Sequence, residues 1–309
     1  MSNDIEAKEE IRRVSHPNID NLAPPPRRVP LPVRCHITFG GMLNQMGWFF
    51  FAFGSILFWI FVINCEAMSW FSFRGPLKTC QGVVTSSEKS SASEGGSKHR
   101  KGTPIWAIHY TFKEGKNTYQ GCSYAVGRSH DAGAPVTVEY AASDPRISRI
   151  SGYRSRVFSA AAGVTLLFPL VGLAFLVPGW LTGRKARRLL ENGIVATGVL
   201  KAKEPTSSSV NKQTVYKLTF EFNAADGRTY EAVAKTHETQ RLQDEAGEKI
   251  VYDPADPTRA VVIDGLPGSF RVTADGQIES DNSRGALMVT LVPLLALFGN
   301  GAYAIIRLF

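Results

Sequence analysis

Apolar residues along this chain gather into three long blocks, and between the blocks they thin out to every second position. The blocks run from Gly47 to Ile63, from Val157 to Leu181 and from Gly285 to Ile306, and none contains Asp, Glu, Lys or Arg. At about 1.5 Å of rise per residue, the 17 residues of the first block make a helix of roughly 25 Å, close to the ~30 Å hydrocarbon core of a bilayer. A buried helix of a soluble domain usually keeps a polar stripe, whereas these blocks are apolar all round. They predict transmembrane helices over 44–64, 157–181 and 285–307. A segment of 46 residues precedes the first block, and no small-residue cleavage site follows it before MSWFSF, so it is expected to stay as an anchor. Trp48, Trp59, Trp70 and Trp180 lie within or near the block ends, as membrane-interface indoles do. Pro169, Pro178 and Pro293 predict kinks inside these helices.

Between the blocks the period changes to two. In WAIHYTF, Trp106, Ile108, Tyr110 and Phe112 share one face; in YKLTFEF, Tyr216, Leu218, Phe220 and Phe222 do the same. Strict alternation of this kind marks a half-buried β-strand. The two segments belong to a longer repeat. Gln81-Gly82-Val83 matches Thr197-Gly198-Val199, and a Ser-rich stretch follows in each copy. The turns Glu114-Gly115-Lys116 and Asp226-Gly227-Arg228 match as hairpins, and YAASDP (140–145) matches YDPADP (252–257). Each copy, 80–153 and 195–266, predicts about five strands in a small antiparallel barrel or sandwich with the aromatic face as its core. The expected fold class is therefore a membrane protein in which three transmembrane helices separate two all-β modules.

Residues 1–43, with APPPRRVPLPVR, lack periodicity and are expected to be a disordered tail whose first 30 residues can be removed without loss of folding. After the second block, TGRKARRLLENG predicts a basic juxtamembrane segment over 183–193, a helical turn or two ending at Gly193. There Arg184, Lys185, Arg187 and Arg188 form a lipid-facing basic cluster, with Leu189 and Leu190 on the membrane.

The overall hydrophobic share of 44% conceals this segregation, and the net charge of +8 with a pI near 9.3 resides in scattered or span-flanking residues. No aromatic-basic surface for nucleic acid is evident. The six histidines are dispersed, and there is no GxSxG, phosphate-binding glycine loop or CxxC, so no catalytic, cofactor or metal residue is nominated. Asp253 and Asp256 each precede proline, a turn arrangement. Cys80 and Cys122 both fall in the first module, where they are either a disulfide or two buried free thiols.

The succession of span, Gly-Val strand, Ser-rich loop, alternating aromatic strand, Gly-turn hairpin, V-x-Y-D-P-x-D-P and span resembles the bacterial membrane family catalogued as domain of unknown function 3592, present twice over residues 40–309. The second copy, with Tyr252 to Pro257, is the better match; the first has Ala141 and Ala142 in place of Asp253 and Pro254. The resemblance implies architecture and a bacterial inner membrane, without an activity to carry over.

Repeated cores without repeated polar chemistry point to a non-catalytic protein whose modules act in interaction or scaffolding, with a protein partner or a second copy. A membrane-bound enzyme is the second possibility, and part of an oligomeric transport complex, with Asn300 in a span, the third. An N-terminus inside the cell places ten Lys and Arg near the span ends on the cytoplasmic side against seven outside. It also puts the cysteine-bearing first module in an oxidising space and the cysteine-free second module in the cytoplasm.

Overall fold

The computed structural model describes residues 19–210, 212–237, 239–242 and 247–308. They divide into two compact units: residues up to Ala52 together with those from Val171 onward, and residues Phe53–Leu170.

Phe53–Leu170 holds the first β-module. Strands β1 (Leu77–Glu94), β2 (Thr103–Glu114), β3 (Asn117–Val126), β4 (Pro135–Ala141) and β5 (Asp144–Ile150) form one antiparallel sheet in the order β3-β2-β1-β4-β5. The other unit holds β6 (Ile194–Val210), β7 (Gln213–Asn223), β8 (Thr229–Thr236), β9 (Glu248–Asp253) and β10 (Asp256–Val262), ordered β10-β9-β6-β7-β8, the same path in the second copy. In each sheet the two outer strands, β3 with β5 and β8 with β10, come together, so the sheet curls toward a barrel. The Ser-rich stretches, expected as loops, instead prolong β1 and β6. Pairings such as Ser93 with Pro104 and Ser209 with Thr214 continue the hairpins beyond the core.

The repeat extends to individual register positions. Gly82 pairs with Phe112 and Gly198 with Phe222, and the register slips at the same place, after Val84 in one and after Leu200 in the other. A β-carbon on Gly82 would lie 2.7 Å from Val138 Cγ2, and one on Gly198 would collide with Ile250 Cδ1. The glycine of each Gly-Val pair is thus required by a branched side chain on the neighbouring strand, β4 or β9. Behind it, Phe112 lies 5.6 Å from Tyr119 and 5.4 Å from Tyr140, and Phe222 lies 6.2 Å from Tyr230 and 5.2 Å from Tyr252. The tyrosine that opens each Asp-Pro motif also ties down the hairpin turn opposite. Tyr140 donates to the Glu114 carboxylate, which pushes its phenol up to about 12, whereas the Tyr252 hydroxyl accepts the Ala225 N–H at 2.9 Å. Both turns use glycine at positive φ, Gly115 (60°) and Gly227 (77°).

The helices are α1 (Leu31–Phe39), α2 (Met42–Leu57, extended by a π-turn to Val62), α3 (Ser69–Ser72), α4 (Leu167–Asn192) and α5 (Ser283–Leu308). Among the described residues, three helical stretches are long and apolar enough to cross a membrane: Met42–Val62, Ala160–Asn192 and Ser283–Arg307, with mean hydropathies of 1.7, 2.3 and 1.8. Phe49, Leu173, Leu295 and Phe298 point outward from them, as lipid-facing residues do. Pro178 and Pro293 sit inside α4 and α5.

Small residues bring α2 and α4 together in the larger unit. A β-carbon on Gly47 would lie 2.8 Å from the Leu176 backbone nitrogen, one on Gly172 2.8 Å from Phe51 Cα, and one on Gly179 3.0 Å from the Asn44 nitrogen. Such close backbone approach is also how helices pack in lipid, where no hydrophobic force drives them together.

The expected tail is corrected for the residues described; those before Ile19 lie outside them. Leu31 follows Pro30, and Pro32 occupies the first turn of α1, where a missing N–H costs nothing. Val33 and Ile37, one turn apart, are buried with Ile19 and Val29 against Ala186, Leu190 and Val251. The short hairpin of β11 (Phe270–Val272) and β12 (Ile278–Ser280) completes this cluster and was not anticipated. A second apolar core therefore lies on the outer face of β9, whose Ile250 and Tyr252 point into the barrel while Val251 points away from it.

In the smaller unit the chain just after the first apolar helix is clamped to the chain after β5. The Glu66 carboxylate accepts the N–H groups of Ser155 (2.9 Å) and Arg156 (3.0 Å) and lies 3.4 Å from Arg149. Arg154 forms a two-pronged pair with Glu94, one prong at 2.9 Å.

Candidate functional site

The residues that set the geometry of the site are those that end α4. The helix does not stop at Leu181 but continues through the whole basic segment to Asn192. It ends at Gly193, whose N–H bonds the Leu189 carbonyl at 2.6 Å. A β-carbon at Gly193 would stand 2.7 Å from that carbonyl oxygen and 2.7 Å from the oxygen of Tyr252, so glycine is what lets the chain pass directly from helix into β6. The last carbonyls of a helix lack partners within it. Arg27 supplies them: its guanidinium donates to Leu190 O at 3.1 Å and to Gly193 O at 2.9 Å, and its backbone N–H donates to Glu191 O at 2.8 Å. Burial lowers the Arg27 pKa from its ordinary value.

Held in this way, the last turns of α4 stand beside β10 and leave a groove of about 760 Å³ between helix and module. One wall is Thr182, Lys185, Arg188 and Leu189; the other includes Asp253, Arg259 and Val261. The four basic residues expected to form one lipid-facing cluster separate into two pairs. Arg184 stacks over the Trp180 ring at 5.2 Å, and Arg187 pairs with Glu191 at 3.7 Å. Lys185 and Arg188 line the groove and have no ion pair among the described residues. Arg259 faces them from the module, held 2.9 Å from Asp256 and 3.9 Å from Asp253. Leu190, expected on the membrane, is fully buried in the outer core, because Arg27 and α1 cover that side of the helix.

Asp253 and Asp256 belong to the β9–β10 turn, where Asp253 accepts the Ala255 N–H at 3.0 Å. Cys80 and Cys122 are free thiols. Cys80 lies on β1 and Cys122 on β3 with β2 between them, and Cys122 pairs with His109, whose β1 partner is Ser86, six positions along the strand from Cys80, so the two thiols are offset both across and along the sheet, beyond the reach of a disulfide. Burial pushes both thiols up from the ordinary range. Among the described residues no group of three His, Cys, Asp or Glu is placed to hold a metal. What the groove offers chemically is positive charge over an apolar floor.

Two contributors were missed at the sequence level. Arg259 was passed over because nothing local links it to Lys185, and Arg27 because its run of prolines suggested a tail. The Phe270–Val272 hairpin did carry a signal, alternating FRV and IES about Asp275-Gly276. Comparison with protein-family models, curated proteins and solved structures returns no match for this chain.

Proposed function

We propose that this is a non-catalytic, multi-pass membrane protein whose two β-modules serve as interaction or scaffolding domains on opposite faces of a bacterial inner membrane, in the manner of the family it resembles. The observation that carries this reading is the repetition of the frame without repetition of the surface. The same strand order, bulge, glycine and aromatic triad recur in both copies. Apart from the Asp–Arg pair that follows each Asp-Pro turn, Asp144 with Arg146 and Asp256 with Arg259, the polar pairs described on the two modules differ. The first module has the His130–Tyr153 contact at 2.7 Å, whereas the second has Lys201 bridging Glu221 and Glu231, each at 2.8 Å. An enzyme duplicated for its chemistry would keep the chemistry; a scaffold keeps the fold and varies the face.

In this reading the single span between the modules sets them on opposite sides, and the charge count supports a cytoplasmic N-terminus and second module. In-cell crosslinking followed by mass spectrometry tests the reading. Reproducible links from Lys217 or Lys235 of the second module to one partner, or to a second copy, are expected. Links confined to sites within a single chain overturn it.

A further inference from the structure

We propose that the groove between the end of α4 and β10 is a binding site for the phosphate headgroup of an anionic phospholipid in the leaflet that α4 leaves. This rests on the reading of α4 as a membrane span. Three observations converge on it.

The first is height. The apolar run of α4 ends at Leu181, so at about 1.5 Å per residue Lys185 lies roughly 6 Å and Arg188 roughly 10 Å beyond the hydrocarbon edge, the depth of the headgroup layer. Trp180, half exposed beneath the Arg184 guanidinium, marks that edge.

The second is uncommitted charge. Of the basic residues in this segment, Arg184 and Arg187 already have partners, while Lys185 and Arg188 project into the groove with none among the described residues. They stand three apart and so share a face of the helix. Arg259 stands on the opposite wall, paired at 2.9 Å with Asp256 and at 3.9 Å with Asp253, the one carboxylate lining the groove among the described residues, so the two unpaired cations leave the net charge positive. The balance of the groove is positive and suits a phosphodiester.

The third is the floor. Ala186, Leu189 and Val261 give the groove an apolar base that free phosphate does not need but the glycerol and upper acyl chain of a lipid would cover.

The test uses the full-length protein reconstituted into nanodiscs of phosphatidylcholine alone or of an equal mixture with phosphatidylglycerol. Resistance to alkaline extraction from membranes is verified first, and extraction of the protein would overturn both the span reading and the site. Lipid retained on the protein is read by native mass spectrometry, and protection of residues 182–193 and 257–261 by hydrogen exchange. Wild type is expected to retain phosphatidylglycerol and to gain protection in the mixed discs. Charge-assisted contacts from two basic residues to one phosphate together give roughly 100-fold or more in affinity, beyond what two charges merely near an anionic surface supply. The pair K185A/R188A is expected to lose about that much, with its melting temperature in phosphatidylcholine unchanged because neither side chain is packed. The pair R184A/R187A removes the same charge outside the groove and is expected to retain the lipid. Equal losses in both double variants would reduce the site to general surface attraction and overturn it. Protection of the same segments by inorganic phosphate in phosphatidylcholine discs would overturn the lipid as occupant.

Discussion

Phe220 and Glu221 are neighbours in β7 with opposite roles. Phe220 is 1% exposed at the centre of the second barrel, so Phe220→Ala is expected to cost about 3–5 kcal/mol, read as a fall in unfolding midpoint or faster proteolysis. Glu221 faces outward and shares Lys201 with Glu231, so Glu221→Ala is expected to stay within about 1 kcal/mol. Gly198→Ala probes the shared glycine: its β-carbon meets Ile250, and overpacking is expected to cost about 1–3 kcal/mol, largely restored by Ile250→Val in the same chain. Glu94 gives a pH dependence. Its hydrogen bond from Arg154 holds its carboxyl below the usual range. A depressed carboxylate contributes stability that is fully present above its unfolded value, about 4.3, and is lost as pH falls from there through the folded value. The first module is therefore expected to lose stability below about pH 4.3. Arg154→Gln should flatten that acid limb while leaving its slope at higher pH unchanged, as thermal unfolding at a series of pH values would show.

At the scale of elements, the N-terminal segment and the end of α4 depend on one another. Arg27 occupies carbonyls that α4 cannot satisfy alone, and Val29, Val33 and Ile37 cover Leu190. Deletion of residues 1–30, harmless for a disordered tail, is now expected to expose this core and to increase proteolysis near residues 186–195. Arg27→Ala should act in the same direction at about 1–3 kcal/mol, since it leaves buried carbonyls unpaired. Hydrogen exchange at the last turn of α4 distinguishes the loss of the cap from general unfolding. The strands and the long apolar helices were legible because their signals are local: a period of two or a charge-free run shows itself within a dozen residues. α1 was not, because its short apolar stripe, Val33 and Ile37, is interrupted by Pro32 and gains meaning only from the partners it meets about 150 residues later.

For the whole molecule, the proposed arrangement places one module on each side of the bilayer. In a background with the native cysteines replaced, a membrane-impermeant maleimide applied to intact cells is expected to label Ser93→Cys, at the far end of β1, and to spare Ser208→Cys, at the far end of β6. The reverse pattern overturns the assignment. The amino-acid sequence by itself determined the apolar helices long enough to span a membrane, the existence of the repeat, the alternation that selects each barrel's inner face and the glycine turns, because each follows from the hydrophobicity or backbone freedom of neighbouring residues. Only the tertiary structure decided that Cys80 and Cys122 stand on non-adjacent strands, that Arg184 and Arg187 are occupied while Lys185 and Arg188 are not, and that Arg259 faces them across a groove. Those relations join residues far apart in the chain, and their distances are set by how sheet and helix pack, which no local pattern encodes.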